Sequence, residues 1–215
     1  MSSRSHVHYG CGLAAPAEWA NFDASPTLRL ERLPLIGRAA AGRGGLFPPN
    51  VLFGDIVKGL PVPAHSCAAV YCSHVLEHLS LNDFRTALRN TRSLLRARGI
   101  FRLVVPDLRI AAQRYLAAES ADAAGRFMTE TGLGAVDRPR GVGGLLRGWL
   151  GNSRHLWMWD FNSLRRELDQ AGFVGIRHAR LGDSEDSMFA AVEDGSRWAD
   201  AVSIQCYADE SGFLS

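Results

Sequence analysis

A short apolar stretch, Val7-His8-Tyr9, runs straight into Gly10-Cys11-Gly12. A glycine pair at such a point lets the backbone turn tightly and approach a ligand with no Cβ in the way. Two further stretches end on acids: Trp19 to Asp23, and Val51 to Phe53 followed by Gly54-Asp55-Ile56. A carboxylate closing the second stretch can accept both hydroxyl protons of a ribose diol, each charge-assisted bond being worth roughly 1.5–3 kcal/mol. One closing the third can receive an adenine amino group. A fourth stretch, Ala68 to Cys72, leads into Ser73-His74-Val75-Leu76-Glu77-His78, and His155 stands far downstream beside a glycine-rich segment. A positioned imidazole can move a proton, typically for about 10²–10⁴-fold in rate. His74 is the first candidate because it follows the strand end directly, and His155 the second. Each feature also has a plain structural reading. A rim aspartate is often a turn residue, Glu77 and His78 suit a helix-capping turn, and His155 can anchor the helix after it. The ordered recurrence after successive stretches is what favours a ligand site.

The elements that must carry these residues follow from periodicity. Ala68 to Cys72 is the continuous apolar run of a strand covered on both faces. Ser80 to Arg98 reads as a helix. Ser80 and Asp83 form a capping-box-like start; Leu81, Phe84, Leu88 and Leu95 make the inner face, and Arg85, Arg89, Arg92 and Arg96 the solvated one. Gly99 is the expected stop. Ile100 to Val105 is the next strand, closed by Pro106. Strand, helix and strand at this spacing make a right-handed βαβ unit. A last helix is expected from Ser163 to Ala171, with strands at Val174 to Arg180, Met188 to Val192 and Val202 to Tyr207. Only ten residues separate Gly12 from Asp23, too few for a full helix. The stretch from Pro26 to Asn50 reads as irregular with one short helix. Residues 132 to 151 hold seven glycines and read as a lid-like insertion after the fifth strand. The expectation is one α/β domain over residues 1 to 215: a Rossmann-like, mostly parallel sheet flanked by helices, with ligands beyond the carboxyl ends of its strands.

The run Cys72-Ser73-His74-Val75-Leu76-Glu77-His78-Leu79, a helix, and then Gly99-Ile100-Phe101-Arg102-Leu103-Val104-Val105-Pro106-Asp107 resembles the central block of class I S-adenosylmethionine (SAM)-dependent methyltransferases, most of all the type 11 group. Gly54-Asp55-Ile56, Leu60-Pro61, Ser66 and Val70 are similar to that group's third-strand segment. His155-Leu156-Trp157, Leu164, Leu168 and Ala171-Gly172-Phe173 are similar to its C-terminal helix. The resemblance implies SAM as cofactor, with Gly10, Cys11 and Gly12 under its methionine part and Asp23 on its ribose. Asp55 and Ile56 would flank the adenine, and Ser73 would face the methionine end. It departs from the family pattern at Ala14, where a third glycine is usual, at His8, where an acid is frequent, and at Ala69, where an aspartate is usual.

Composition bounds the function. The chain has 215 residues, 47% hydrophobic and 21% charged, enough apolar surface for a core. Its net charge of +2 lacks the basic excess of a nucleic-acid or membrane-surface protein. Opposite charges are nevertheless segregated. Asp83 to Arg114 carries a local +6 and Leu181 to Ser215 a local −7, read as two solvated faces of opposite sign. Cys11, Cys67, Cys72 and Cys206 show no disulfide or zinc spacing. His74-x-x-Glu77-His78 invites a metal reading, and its resemblance to a Glu-x-x-Glu-His motif of some small-RNA 2′-O-methyltransferases implies His155 as the distant member, but so nitrogen-rich a set suits magnesium poorly, and no metal is expected. With no signal-peptide stretch after Met1 and no apolar run of membrane-spanning length, a cytoplasmic location is expected. The leading reading is methyl transfer to an oxygen or nitrogen nucleophile of a small molecule or glycan. The alternatives are a non-catalytic SAM-binding or interaction module of the same fold and a nicotinamide-dinucleotide protein. The last is weakened because no G-x-x-G continuation follows and Asp23 comes too early.

Overall fold

The computed structural model describes residues 5–33, 46–135 and 154–210. Seven strands form one sheet: β1 (His6–Tyr9), β2 (Ala20–Asp23), β3 (Val51–Phe53), β4 (Cys67–Ser73), β5 (Leu95–Pro106), β6 (Phe173–His178) and β7 (Ala201–Ala208). Their order is β3-β2-β1-β4-β5-β7-β6. β1 pairs in parallel with β2 and β4, β2 with β3, and β4 with β5, while β7 runs antiparallel to both its neighbours. The order reverses between β1 and β4, so the crevice outside their carboxyl ends is where an open α/β sheet takes a ligand.

The two faces are covered differently. One packs on α2 (Leu81–Leu94) and α5 (Phe161–Gln170), through Phe84 and Leu88 of the first and Leu164 and Leu168 of the second, against Val70, Cys72, Phe101 and Leu103. The opposite face, with Ala69, Tyr71 and Val104, is filled by Trp19, Phe189 and Val192. Those residues come from irregular segments and a 3-10 turn (Ser187–Ala191), which replaces the strand expected at Met188 to Val192. A five-residue apolar run carries no periodicity to separate the two, and Asp186 caps the turn by accepting from the Met188 N–H. The connection from Gly12 to Trp19 is too short for a helix, as its length indicates, and Trp19 fills the space, its Nε1 donating to the Met188 carbonyl at 3.1 Å. α1 (Pro26–Glu31) supplies the short helix expected after β2.

The helix expected to end at Gly99 stops at Leu94. Ser80 does cap its start, accepting from the Asp83 N–H, but its last carbonyls are met by the N–H groups of His65 and Ser66, and Leu95 already pairs with Cys67 in the sheet. Gly99 serves a turn inside β5, where a Cβ would sit 2.9 Å from the Cys67 carbonyl. After β5 come α3 (Leu108–Leu116) and α4 (Ala123–Glu130), neither with a fully buried residue. Most of the glycine-rich insertion lies outside the described residues.

Part of the charge segregation is internal pairing. Arg102 meets Glu193 at 2.6 Å and Asp183 at 2.9 Å, and Arg114 meets Asp200 at 2.6 Å. The arginine row of α2 is not wholly solvated either. Arg85 grips Glu167 of α5 with two bonds of 2.8 Å, and Arg92 donates to the carbonyls of Gly172 and Asp209. Among the described residues, no helix is long and apolar enough to cross a membrane.

Candidate functional site

At the β1/β4 switch point a cleft of about 530 Å³ opens, within the roughly 300–1,000 Å³ of small-ligand sites. Its wall is made by the residues that end four strands: Tyr9 and Gly10 after β1, Asp23 to Pro26 after β2, Gly54 to Ile56 after β3, and His74, Val75, His78 and Leu79 after β4.

Asp23 is held by the loop it faces. Its Oδ2 accepts from the Gly12 N–H at 2.9 Å and its Oδ1 from the Ser25 N–H at 2.7 Å. Each oxygen keeps a lone pair, so the carboxylate is fixed in orientation and can still accept two hydroxyl protons. Gly12 has φ +55° and open space where a Cβ would point. Gly10, at φ +64°, is different: a Cβ there would lie 2.1 Å from Cγ2 of Val75, so the valine already rests on the glycine. Asp55 accepts from the Val57 N–H at 3.0 Å, and Ile56 is buried with its carbonyl accepting from Asn90.

The other end of the cleft is built around Glu77. It lies in a 3-10 turn (Leu76–His78), 1% exposed, with no hydrogen bond to either carboxylate oxygen. Three imidazoles face its Oε1: Nδ1 of His74 at 3.4 Å, Nε2 of His78 at 3.9 Å and Nε2 of His155 at 4.0 Å. His74, at φ +54°, donates from Nε2 to the Arg197 carbonyl at 2.9 Å, and the Glu77 carboxylate raises its pKa above the usual histidine value. Burial lowers that of His155. His78 donates from Nδ1 to the Arg154 carbonyl at 2.9 Å. His155 is brought in by backbone docking, since the N–H groups of Leu156 and Trp157 both donate to the Glu77 carbonyl.

Of the residues singled out in the sequence, Gly10, Asp23, Asp55, Ile56 and His74 line the cleft together, and His155 adjoins it through His78, ring centres 5.0 Å apart. Gly12 holds Asp23 from behind. Cys11 turns away into a small cluster with Leu28 and Val51, its thiol pushed up to about 12 by burial. Ser73 is buried and does not line the cleft, its carbonyl accepting from Arg197. The His74-x-x-Glu77-His78 spacing, with His155, marks this group in the sequence, where Glu77 reads first as a capping residue; its burial at the centre of three imidazoles is what the structure adds.

A family model described as a methyltransferase domain matches residues 10–178. No protein of curated function matches the sequence. Among solved structures, a SAM-dependent methyltransferase of Thermotoga maritima superposes with a TM-score of 0.50 at 18% identity, over 95% of this chain and 82% of that one. A Bordetella parapertussis protein, described as a possible exported protein, gives 0.51 at 12% identity, over 96% and 62%. At these identities the likeness is one of fold.

Proposed function

Because the chain belongs to the methyltransferase-domain family, within the class I SAM-dependent methyltransferases, we propose that it transfers a methyl group from SAM to an oxygen or nitrogen nucleophile of a small molecule or glycan. The observation that carries this reading is the fixed Asp23 carboxylate at one end of the cleft and the Glu77 histidine cluster at the other. The residues present fit an adenosyl group. Asp23 would hold the ribose hydroxyls, and Asp55 and Ile56 the adenine. When bound, SAM supplies a methyl carbon already activated by its sulfonium. The protein's own task is then alignment, which can lower a barrier by several kcal/mol.

His74 and His155 are the proposed catalytic residues. Both converge on Glu77, whose buried charge favours the positive charge that builds up as the acceptor loses its proton. A small or glycan acceptor suits the surface. Arg85, Arg92, Arg102 and Arg114 are each engaged by an acid or a carbonyl, which leaves those cations committed within the fold rather than to a polyanion.

A second reading, a non-catalytic module of the same fold, draws on Val75 lying against Gly10, where the methionine part would pass. Calorimetric titration with SAM and with its demethylated product separates the readings from their common rival. Saturable binding of both, in preference to NADH, is expected; no binding at millimolar cofactor would remove the proposal. His155→Ala should then keep cofactor affinity and lose turnover, whereas a non-catalytic module has no turnover to lose.

A further inference from the structure

We propose that Glu77, His78 and His155 form a binding site for a divalent transition ion of the zinc class. One ligand atom from each lies within 4.8 Å of the others. Metal–ligand bonds of about 2.0–2.2 Å in a tetrahedral site put ligand atoms roughly 3.3 Å apart, so the 3.9 and 4.0 Å separations from Glu77 Oε1 close by small side-chain rotations.

Hydrogen-bond direction makes the stronger argument. The Arg154 carbonyl can only accept, so Nδ1 of His78 carries the hydrogen. Nε2 is the atom left to face the Glu77 carboxylate, neither oxygen of which has a hydrogen bond of good geometry. A buried carboxylate ringed by imidazole nitrogens at 3.4 to 4.0 Å is an arrangement that takes a cation among them. The His78-to-carbonyl bond is also the outer-shell contact that fixes the tautomer of a metal-bound histidine. His155 is seated by packing instead: a Cβ on Gly132 would come within 3.1 Å of its ring, whose Nδ1 has no hydrogen-bond partner. His74 stands outside the trio, facing the same oxygen at 3.4 Å and anchored to the Arg197 carbonyl, where it braces Glu77.

The donor set chooses the ion. Two imidazoles and one carboxylate suit zinc and its transition-metal neighbours, not magnesium or calcium, which want oxygen. Three protein ligands leave a position open, and His78 lines the cleft. The use of the site rests on the transferase reading. With the ion bound, Nε2 of His155 is a ligand and no longer a base; an acceptor oxygen entering the open position would bind the ion through a lone pair and give up its proton more readily, to water.

The test needs no cofactor. Untagged full-length protein is stripped with chelator, reloaded with zinc, dialysed and analysed for metal by mass spectrometry, with melting followed in parallel. One equivalent of zinc per chain and a higher Tm are expected. His155→Ala and the isosteric Glu77→Gln should each weaken zinc binding by more than the roughly 10–100-fold typical of losing an outer-shell partner. Substoichiometric uptake by the wild type, or wild-type uptake by both variants, would overturn the site. SAM affinity measured on the same samples keeps the two proposals apart, because zinc uptake without SAM binding sinks only the transferase reading, and the reverse sinks only this one.

Discussion

Arg102 and Glu77 are equally buried, each 1% exposed, and their surroundings are opposite. Arg102, on β5, lies against Glu193 and Asp183 and donates as well to Gln205 at 2.6 Å and to the Arg180 carbonyl at 2.9 Å. Glu77, after β4, meets among the described residues three ring nitrogens at 3.4 to 4.0 Å, with no hydrogen bond of good geometry on either oxygen. A buried charge met at short range by two carboxylates and two further acceptors belongs to the architecture, although its Nε has no partner. One faced by ring nitrogens at longer range, behind the lining of a cleft, is held ready for something the chain does not itself supply. The difference separates a structural centre from a functional one without reference to any relative.

Removing Arg102 should have the largest effect on stability. Arg102→Met leaves Glu193, itself 2% exposed, without its ion-pair partner. A loss of roughly 3–5 kcal/mol in urea unfolding is expected. A variant as stable as the wild type would break the comparison on its structural side.

Acid should reveal a second buried group on the Arg102 face of the sheet. His8 is lowered to about 4, first by burial and then by the Arg197 charge. The unfolded chain takes up this proton near the ordinary value of 6.5 and the folded chain near 4. The stability it contributes is therefore complete above about pH 6.5 and is lost as pH falls toward 4, by roughly 3 kcal/mol. Urea midpoints of wild type and His8→Phe across that window should diverge; parallel curves would contradict the assignment.

At the functional end, Asp23→Asn keeps one acceptor oxygen and loses the charge. SAM affinity should fall by about 10–150-fold, the equivalent of roughly 1.5–3 kcal/mol for a charge-assisted bond. The smallest stability change is expected at Glu77. Glu77→Gln removes a buried charge that has no hydrogen bond to lose, so the urea midpoint should stay level or rise while turnover and metal uptake collapse. A large destabilisation there would make Glu77 a second Arg102.

Much of the architecture was legible because it is local. Apolar runs ending on Gly10, Asp23, Asp55 and Ser73 mark strands and rim together, and the structure brings the first three of those residues to one cleft, with His74 there in place of the buried Ser73. What escaped is tertiary. The end of α2 at Leu94 is decided by N–H groups of His65 and Ser66 arriving from elsewhere in the chain. The turn at Ser187–Ala191 has no periodicity of its own. The opposite charges of two distant segments look solvated until the fold pairs Arg102 with Glu193 and Arg114 with Asp200. Glu77 was misread for the same reason. Its spacing from His74 and His78 was visible, but burial without a partner is a property only packing can create.

The most direct measurement of the central claim is a crystal structure of the chain grown with saturating S-adenosylhomocysteine, the demethylated product of SAM. The account places both ribose hydroxyls within hydrogen-bonding reach of the Asp23 carboxylate, with the adenine beside Asp55 and Ile56. Density for the nucleoside elsewhere, or a cleft that Val75 keeps closed to it, would contradict the account.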